Sequence, residues 1–334
     1  MGKIVNSRNV VVFFLGLGLL FAVSFLVRDK ESIVVALSHM NYSLLLAVLL
    51  FTALSYLLLC GAFAKMCLLL GVDLPFKKLF HLWFISTVIS NLVSVAGGLT
   101  GYTTKIALFK RHEMRVSRIA ALTLLFANLN NLALIILLPI GILSLLQSGA
   151  TTGRVDEGLV VRLGLLILLL LIVTFSVLVG PIRDRVLGVL PWFVRNEKRK
   201  SGLQVRITAV NDALDEVVSE ISRYPAKILL YVVFITLSVI LSVLALGACF
   251  YALGVTVPFG VLLTGYAIGV FIGMISVVPG GMGVQEATMA GVFSFLGVNF
   301  GVAILAAVIF RLIYNVIPFF YGVTLSRKWD TGAL

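Results

Sequence analysis

The sequence predicts an all-α polytopic membrane protein with about six full spans and two re-entrant hairpins, arranged as an inverted-topology internal repeat. Three observations predict this fold. Of the 334 residues, 60% are hydrophobic and only 12% are charged, and the mean hydropathy is +1.14, which is typical of membrane proteins. Two stretches of the chain repeat each other, and the charges that flank the two stretches differ.

Eight apolar runs are candidates to enter or cross the roughly 30 Å of hydrocarbon in a bilayer. A spanning helix needs about 20 residues, because each residue adds about 1.5 Å. Little of the chain is left over, so residues 1–334 are predicted to form a single transmembrane domain. The runs lie at about 10–27, 43–70, 79–97, 119–146, 160–180, 226–253, 259–278 and 300–325.

The first run also has a second interpretation, as a signal peptide. It follows Lys3 and Arg8, and it carries Ala22-x-Ser24, a pair of small residues at a spacing typical of cleavage sites. The topology predicted for the rest of the chain is the same under either interpretation.

The internal repeat relates positions that are 183 residues apart. The stretch 71–98 aligns without a gap with 254–281, and ten of its 28 positions are identical. The repeats extend over about 42–146 and 225–325. A duplicated and inverted membrane unit is the usual plan of a transporter.

Charge placement predicts that the two copies are inverted, because Lys and Arg are retained in cytoplasmic loops. If the N-terminus is inside and 79–97 and 259–278 are re-entrant, 21 of the 26 Lys and Arg residues are cytoplasmic. No Lys or Arg occurs from Gly254 to Phe310, so the second copy faces outward. Both termini are then cytoplasmic, in a cell (inner or plasma) membrane.

The longest polar stretch, 181–225, is predicted to be a cytoplasmic amphipathic linker. It contains a basic run, 195–200, followed by apolar residues at alternating spacings of four and three. The linker either packs against helix ends or contacts acidic lipids of the inner leaflet. No nucleic-acid partner is needed to explain the net charge of +12. The apolar positions are Leu203, Ile207, Val210, Leu214, Val217 and Ile221.

A glycine-rich turn in the second copy is predicted to end one helix and to begin another. Its glycines let the backbone approach a ligand, and a helix N-terminus suits a phosphate or carboxylate. Glu286 is the only acidic residue between Gly254 and Phe310, so it is either a coupling or gating residue or a cap of the returning helix. The other candidates in this turn are Pro279, Gly280, Gly281, Gly283 and Gln285.

Arg311 lies within the last apolar run, about 16 Å from its outer end, where an arginine needs an anion. It is interpreted as the partner of a phosphate or of Glu286 in a translocation path, or else as a structural ion pair or a side chain that reaches the interface. Tyr314 and Asn315 follow on a similar face, and Pro318 independently predicts an irregular helix.

The first copy carries Gly97 and Gly98 at the matching turn, and Lys105 lies near the position equivalent to Glu286. Lys105 either holds a lipid phosphate at the inner mouth or only follows the inside-positive bias. Asn128 and Asn131 on the next span correspond to the group around Arg311. They are interpreted either as interhelical hydrogen bonds or as ligands. The few scattered Cys and His residues predict no cofactor, metal site or disulfide.

At these residues the chain resembles the membrane domain of lysylphosphatidylglycerol synthases, which also occurs in stand-alone proteins. The resemblance rests on residues 279–287, on the Gly97-Gly98 turn and on the eight-segment layout, and it covers nearly the whole chain. It implies a flippase-like lipid translocase for a phospholipid, aminoacylated or isoprenoid-type lipid, with the glycine turns and Glu286 along the headgroup path. The first copy departs from the family pattern at Ala96 and Thr103, where a proline and an acidic residue are frequent.

The residues alone leave other functions open. An ion- or proton-coupled small-solute transporter shares the inverted plan, and an accessory subunit of a lipid-modifying or glycosyltransferase enzyme needs no transport of its own. No enzymatic activity is expected, since no phosphate-binding loop or zinc-protease motif occurs and the aminoacyl-transferase domain is absent. The expected partners are anionic or phosphate-containing membrane lipids and a lipid-modifying enzyme, with homo-oligomers left open.

Overall fold

The computed structural model is built from α-helices. It describes residues 30–69, 71–72, 74–93, 105, 109, 115–147, 158, 164–165, 167–168, 171–172, 174, 179–188, 197–276 and 278–330. These residues are in helices, turns or irregular segments, and none of them is in a strand. The predicted all-α fold class is confirmed.

Most of the helices coincide with apolar runs of the sequence. In chain order they are α1 Lys30–Ser38, α2 Leu44–Leu69, α3 Phe76–Val93, α4 Val116–Gln147, α5 Gly180–Gly188, α6 Glu197–Ser222, α7 Pro225–Ala252, α8 Phe259–Ile275, α9 Val284–Phe295, α10 Phe300–Arg311 and α11 Ile317–Asp330. A short 3-10 turn, Pro279–Gly281, precedes α9. A π-helical segment, Leu312–Val316, joins α10 to α11.

Four helical segments in the described part of the chain are long and apolar enough to cross a membrane. They are Leu44–Leu69, Val116–Ser144, Pro225–Ala252 and Phe300–Ser326, and they correspond to four of the six predicted spans. Of the other two, 10–27 lies outside the described residues, and 160–180 is described only at scattered positions. The total of six spans stays a prediction.

The two segments predicted to be re-entrant form shorter helices. The described part of α3 has 18 residues and α8 has 17, at the short end of the range for a spanning helix, so their re-entrant course stays a prediction. α8 and α9 form a closely packed antiparallel hairpin, because glycines at four-residue spacing on α8 leave room for side chains of α9. The facing pairs are Gly265 with Phe293, Gly269 with Met289, and Gly273 with Gln285.

α2 and α7, which occupy equivalent places in the predicted repeats, pack against each other. Ser55 Oγ lies 2.8 Å from Ser238 Oγ, and Tyr231 Oη donates to the carbonyl of Lys65 at 3.2 Å. Later residues of α2 therefore meet earlier residues of α7, so the helices run antiparallel. Ser55 and Ser238 are 183 positions apart, which is the repeat offset, and equivalent residues of two inverted units meet where they lie close to the two-fold axis.

The linker forms α6, whose apolar side packs against α4. Leu214, Val217 and Ile221 are buried, and Arg118 of α4 pairs with Glu220 at 2.8 Å. Packing against α4 therefore explains why these last three positions of the periodic stripe are apolar. The side chain of Leu203 lies outside the described residues.

Candidate functional site in a polar cavity between the repeats

A cavity of about 350 Å³ lies between residues of the two predicted repeats. Its wall combines aromatic and aliphatic side chains with many hydroxyl and amide groups at positions inside apolar helices. Such groups are costly in a bilayer and mark functional cavities or helix contacts. The polar residues on the wall include Ser86, Thr87, Ser90, Asn91, Thr123, Asn130, Ser238, Ser242, Ser276, Gln285 and Asn315.

The second glycine turn forms one side of the cavity. Gly280, Gly281 and Gly283 have φ angles of 60°, 63° and 82°, values that only glycine adopts at low cost. A Cβ at Gly281 would lie 2.7 Å from the carbonyl oxygen of Gly273. The turn therefore needs glycine at 281 both for its backbone conformation and for its close approach to α8.

Glu286 connects the turn to the rest of the site. It is the third residue of α9 and is only 2% exposed. Its Oε2 accepts a hydrogen bond from the N–H of Gly283 at 2.7 Å, and its Oε1 accepts from Arg311 Nη1 at 2.5 Å. Glu286 thus caps the returning helix and also pairs with Arg311, and its role in coupling or gating stays a prediction.

Arg311 holds the turn from the opposite side. Its Nη1 donates to Gln285 Oε1 at 3.0 Å as well as to Glu286, and its Nη2 donates to the carbonyl of Gly280. Arg311 is 1% exposed and lies in the last turn of α10. A cation at a helix C-terminus and an anion at a helix N-terminus are each favoured by the helix dipole.

The π-helical segment that follows Arg311 has a local cause. Pro318 has no N–H to donate to the carbonyl of Tyr314, four residues earlier. The hydroxyl of Tyr56 donates to that carbonyl instead, at 3.1 Å. π-Helical turns are rare and occur often at functional sites. Here the turn places Tyr314 and Asn315 on the cavity wall next to Arg311.

A hydroxyl cluster joins the π-helical segment to the contact between α2 and α7. The Tyr314 hydroxyl lies 2.9 Å from Ser55 Oγ and accepts a hydrogen bond from Ser242 Oγ at 3.0 Å. On the other side, Asn91 Nδ2 donates to Asn315 Oδ1 at 3.4 Å, which links α3 to the same segment. Side chains of both repeats therefore meet around residues 314–315.

Lys105 adds a second buried cation to the wall. It is 7% exposed, and its Nζ lies 4.8 Å from the centroid of the Phe63 ring, in a cation–π contact. Within the part of the chain that the structure describes, no carboxylate lies within ion-pair distance of Lys105. The charged side chains known to line the cavity are thus Lys105 and Arg311, and both are positive.

The structure brings together most of the predicted site residues. Those on the cavity wall are Lys105, Gly280, Gly281, Gln285, Arg311, Tyr314 and Asn315. Glu286 contacts that wall by accepting from Arg311, and Gly283 lies behind it, donating its N–H to Glu286. Pro279 begins the 3-10 turn, and its side chain lies outside the described residues, as do Gly97 and Gly98.

The two predicted asparagines of α4 are not among the described residues that line the cavity. Asn128 Nδ2 donates to the carbonyl of Leu124 in its own helix at 3.0 Å. Asn131 Oδ1 is buried and has no hydrogen-bond donor among the described residues. Asn130, between them, is the asparagine of α4 that lines the cavity.

Several cavity residues were missed by the sequence-based prediction. Trp83 and Tyr266 are one example: they occupy equivalent positions 183 residues apart and both line the cavity. Ser238 and Ser242 are another, since they line the cavity as polar residues inside an apolar span. The repeat offset would have paired Ser55 with Ser238. In the described ranges, no three His, Cys, Asp or Glu residues are close enough to hold a metal ion together.

Comparison with known proteins shows similarity to a family model and to a membrane protein of another organism. A family model described as lysylphosphatidylglycerol synthase TM region matches residues 10–322. A stretch of 82 residues is 30% identical to a UPF0104 membrane protein of Methanothermobacter thermautotrophicus. That stretch covers 25% of this chain and 23% of the archaeal protein, so the similarity spans about a quarter of each.

Proposed function

The chain belongs to the lysylphosphatidylglycerol synthase TM region family, and on that premise we propose that it is a membrane lipid translocase. It moves a phospholipid, aminoacylated or isoprenoid-type lipid between leaflets. The headgroup passes through the cavity between the repeats, and the acyl chains stay in the bilayer. The observation that carries this proposal is a polar cavity within apolar helices that is bordered by a buried Arg311–Glu286 pair.

The size and the wall of the cavity support a headgroup as the occupant. A volume of about 350 Å³ is within the usual range for small-ligand sites. Met274 lines the cavity and is 39% exposed, so an apolar side chain borders the space available to the ligand. This arrangement suits a lipid, because an apolar tail can lie along the surface while the headgroup lies inside.

The Arg311–Glu286 pair supplies the gate in this proposal. When the headgroup is absent, Glu286 neutralises Arg311 and the turn is held closed against α10. A lipid phosphate competes with Glu286 for the guanidinium, which accepts anions in a bidentate geometry. The antiparallel contact of α2 with α7 serves as the pivot about which the two repeats rock.

The setting of this activity is also proposed. The protein lies in the cell (inner or plasma) membrane with both termini in the cytoplasm, and the basic linker faces the acidic lipids of that leaflet. It changes the leaflet of its substrate without changing covalent structure. A separate enzyme makes the modified lipid and acts next to it.

Leaflet exchange in proteoliposomes tests the proposal. We expect the purified protein to accelerate exchange of headgroup-labelled phospholipids above the rate of protein-free liposomes, with the extracted lipids chemically unchanged. Glu286→Gln keeps the shape of the side chain but removes its charge, so it is expected to alter the exchange rate. Exchange no faster than in protein-free liposomes, for phospholipids and isoprenoid phosphates alike, would favour a solute transporter or an accessory subunit.

A further inference from the structure

We propose that the cavity selects net-anionic, phosphate-bearing headgroups and rejects cationic aminoacylated ones, with Lys105 as the residue that binds the phosphate while Arg311 is still paired with Glu286. This inference rests on the proposed function and narrows its substrate class. The observations behind it are the charge of the cavity wall, the partners of its two cations and the buried donors nearby.

The charge of the wall is one-sided. Lys105 and Arg311 line the cavity, and no carboxylate occurs among the lining residues that the structure describes. Glu286 lies behind the wall and is already paired with Arg311 at 2.5 Å. Among the described residues, Lys105, Arg311 and Glu286 together therefore carry one excess positive charge. A headgroup with an added ammonium would meet repulsion here without a carboxylate to receive it.

The two cationic side chains differ in the partners that they contact. Arg311 donates to Glu286, Gln285 and the carbonyl of Gly280, so its terminal nitrogens are engaged by protein groups. Lys105 contacts the face of Phe63 and has no carboxylate partner in the described ranges. A buried ammonium without an anion is unfavourable. An anionic ligand that enters the cavity therefore gains the most binding free energy by contacting Lys105.

Two further buried donors favour an acceptor-rich ligand. The indole Nε1–H of Trp83 and the Nε–H of Arg311 have no acceptor among the described residues, and both residues line the cavity. A phosphodiester supplies several acceptor oxygens and no donor. Thr87, Ser90 and Asn130 on the wall suit hydroxyl groups on the rest of the headgroup.

A fluorescence titration tests this inference directly. Of the three tryptophans, only Trp83 is known to line the cavity, so replacing Trp192 and Trp329 by Phe leaves a single reporter at the site. Purified protein in detergent is titrated with short-chain phosphatidylglycerol, lysyl-phosphatidylglycerol, phosphatidylcholine and inorganic phosphate. We expect saturable binding of phosphatidylglycerol, and affinity at least about tenfold weaker for the lysylated and zwitterionic lipids, since the excess positive charge of the cavity repels their ammonium group.

Variants at Lys105 assign the phosphate to this residue. Lys105→Met keeps the length of the side chain and should weaken phosphatidylglycerol binding about tenfold or more. Lys105→Arg keeps the charge and should restore most of the affinity. Both variants are compared only as monodisperse proteins with wild-type helix content. Undiminished binding in Lys105→Met would overturn the inference, and so would equal or tighter binding of the lysylated lipid.

Two other outcomes separate this inference from the proposed function. If inorganic phosphate binds as tightly as the lipid, the site takes a free anion and the lipid inference is wrong. If the affinity does not depend on headgroup charge while proteoliposomes still exchange lipids, the selectivity inference fails. The translocase proposal then stands. Charge-selective lipid binding without any exchange would support the site and contradict the translocase.

Discussion

Replacing Arg311 by Ala is expected to abolish lipid exchange and to destabilise the protein by about 3–5 kcal/mol, because it leaves a buried carboxylate without its partner. Glu286 is 2% exposed and would lose its 2.5 Å ion pair. The carbonyl of Gly280 would also lose its donor. Stability is measured by unfolding in mixed micelles, and exchange is measured in proteoliposomes at equal protein content.

A double-variant cycle separates the structural from the functional role of Arg311. Adding Glu286→Gln to Arg311→Ala removes the uncompensated charge, so the double variant should recover at least about 1–3 kcal/mol of the lost stability. Lipid exchange should stay absent in the double variant, because the guanidinium is still missing. A double variant that regains both stability and exchange would show that the pair only supports the fold.

Replacing Gly281 by Ala is expected to have a comparable effect on the second turn. The φ angle of 63° costs an ordinary residue about 1–2 kcal/mol, and the new Cβ would lie 2.7 Å from the Gly273 carbonyl oxygen. Relieving that overlap costs a further 1–3 kcal/mol or so. The turn would have to move away from α8, and we expect exchange to be lost together with about 2–5 kcal/mol of stability.

Gly291→Ala is the matched control for this variant. Gly291 lies in α9, ten residues from Gly281, and a Cβ there would meet no atom within 4 Å. Because Ala favours helix over Gly, stability should stay the same or rise by up to about 1 kcal/mol. Exchange should match the wild type. Equal losses in both variants would mean that the turn at Gly281 has no special role.

Much of the fold and one part of the site follow from the sequence by simple physical rules. Apolar runs give the helices, because backbone groups in a membrane must be paired within the helix. Glu286 and Arg311 could be predicted as partners because each is an isolated charge at membrane depth. The glycine turn could be predicted because consecutive glycines break a helix and tolerate positive φ angles.

The remaining part of the site depends on distances that local patterns do not contain. Asn128, Asn130 and Asn131 are all polar residues in one apolar span, and the sequence does not distinguish them. Only the packing of α4 shows that Asn130 is the one on the described cavity wall. The hydroxyl cluster around Tyr314 joins α2, α7 and the π-helical segment, so its members are far apart in the chain. That no carboxylate of the described residues lies within ion-pair distance of Lys105 is likewise a property of packing.

Lipid exchange after the cavity has been filled decides whether the headgroup passes through it. Thr87→Trp adds bulk on the cavity wall, whereas Leu50→Trp adds the same side chain on α2 at a position that is 56% exposed. Both proteins are reconstituted at equal density and compared with the wild type. We predict that exchange is lost in Thr87→Trp and kept in Leu50→Trp, with both proteins folded. Wild-type exchange by folded Thr87→Trp would contradict a headgroup path through this cavity.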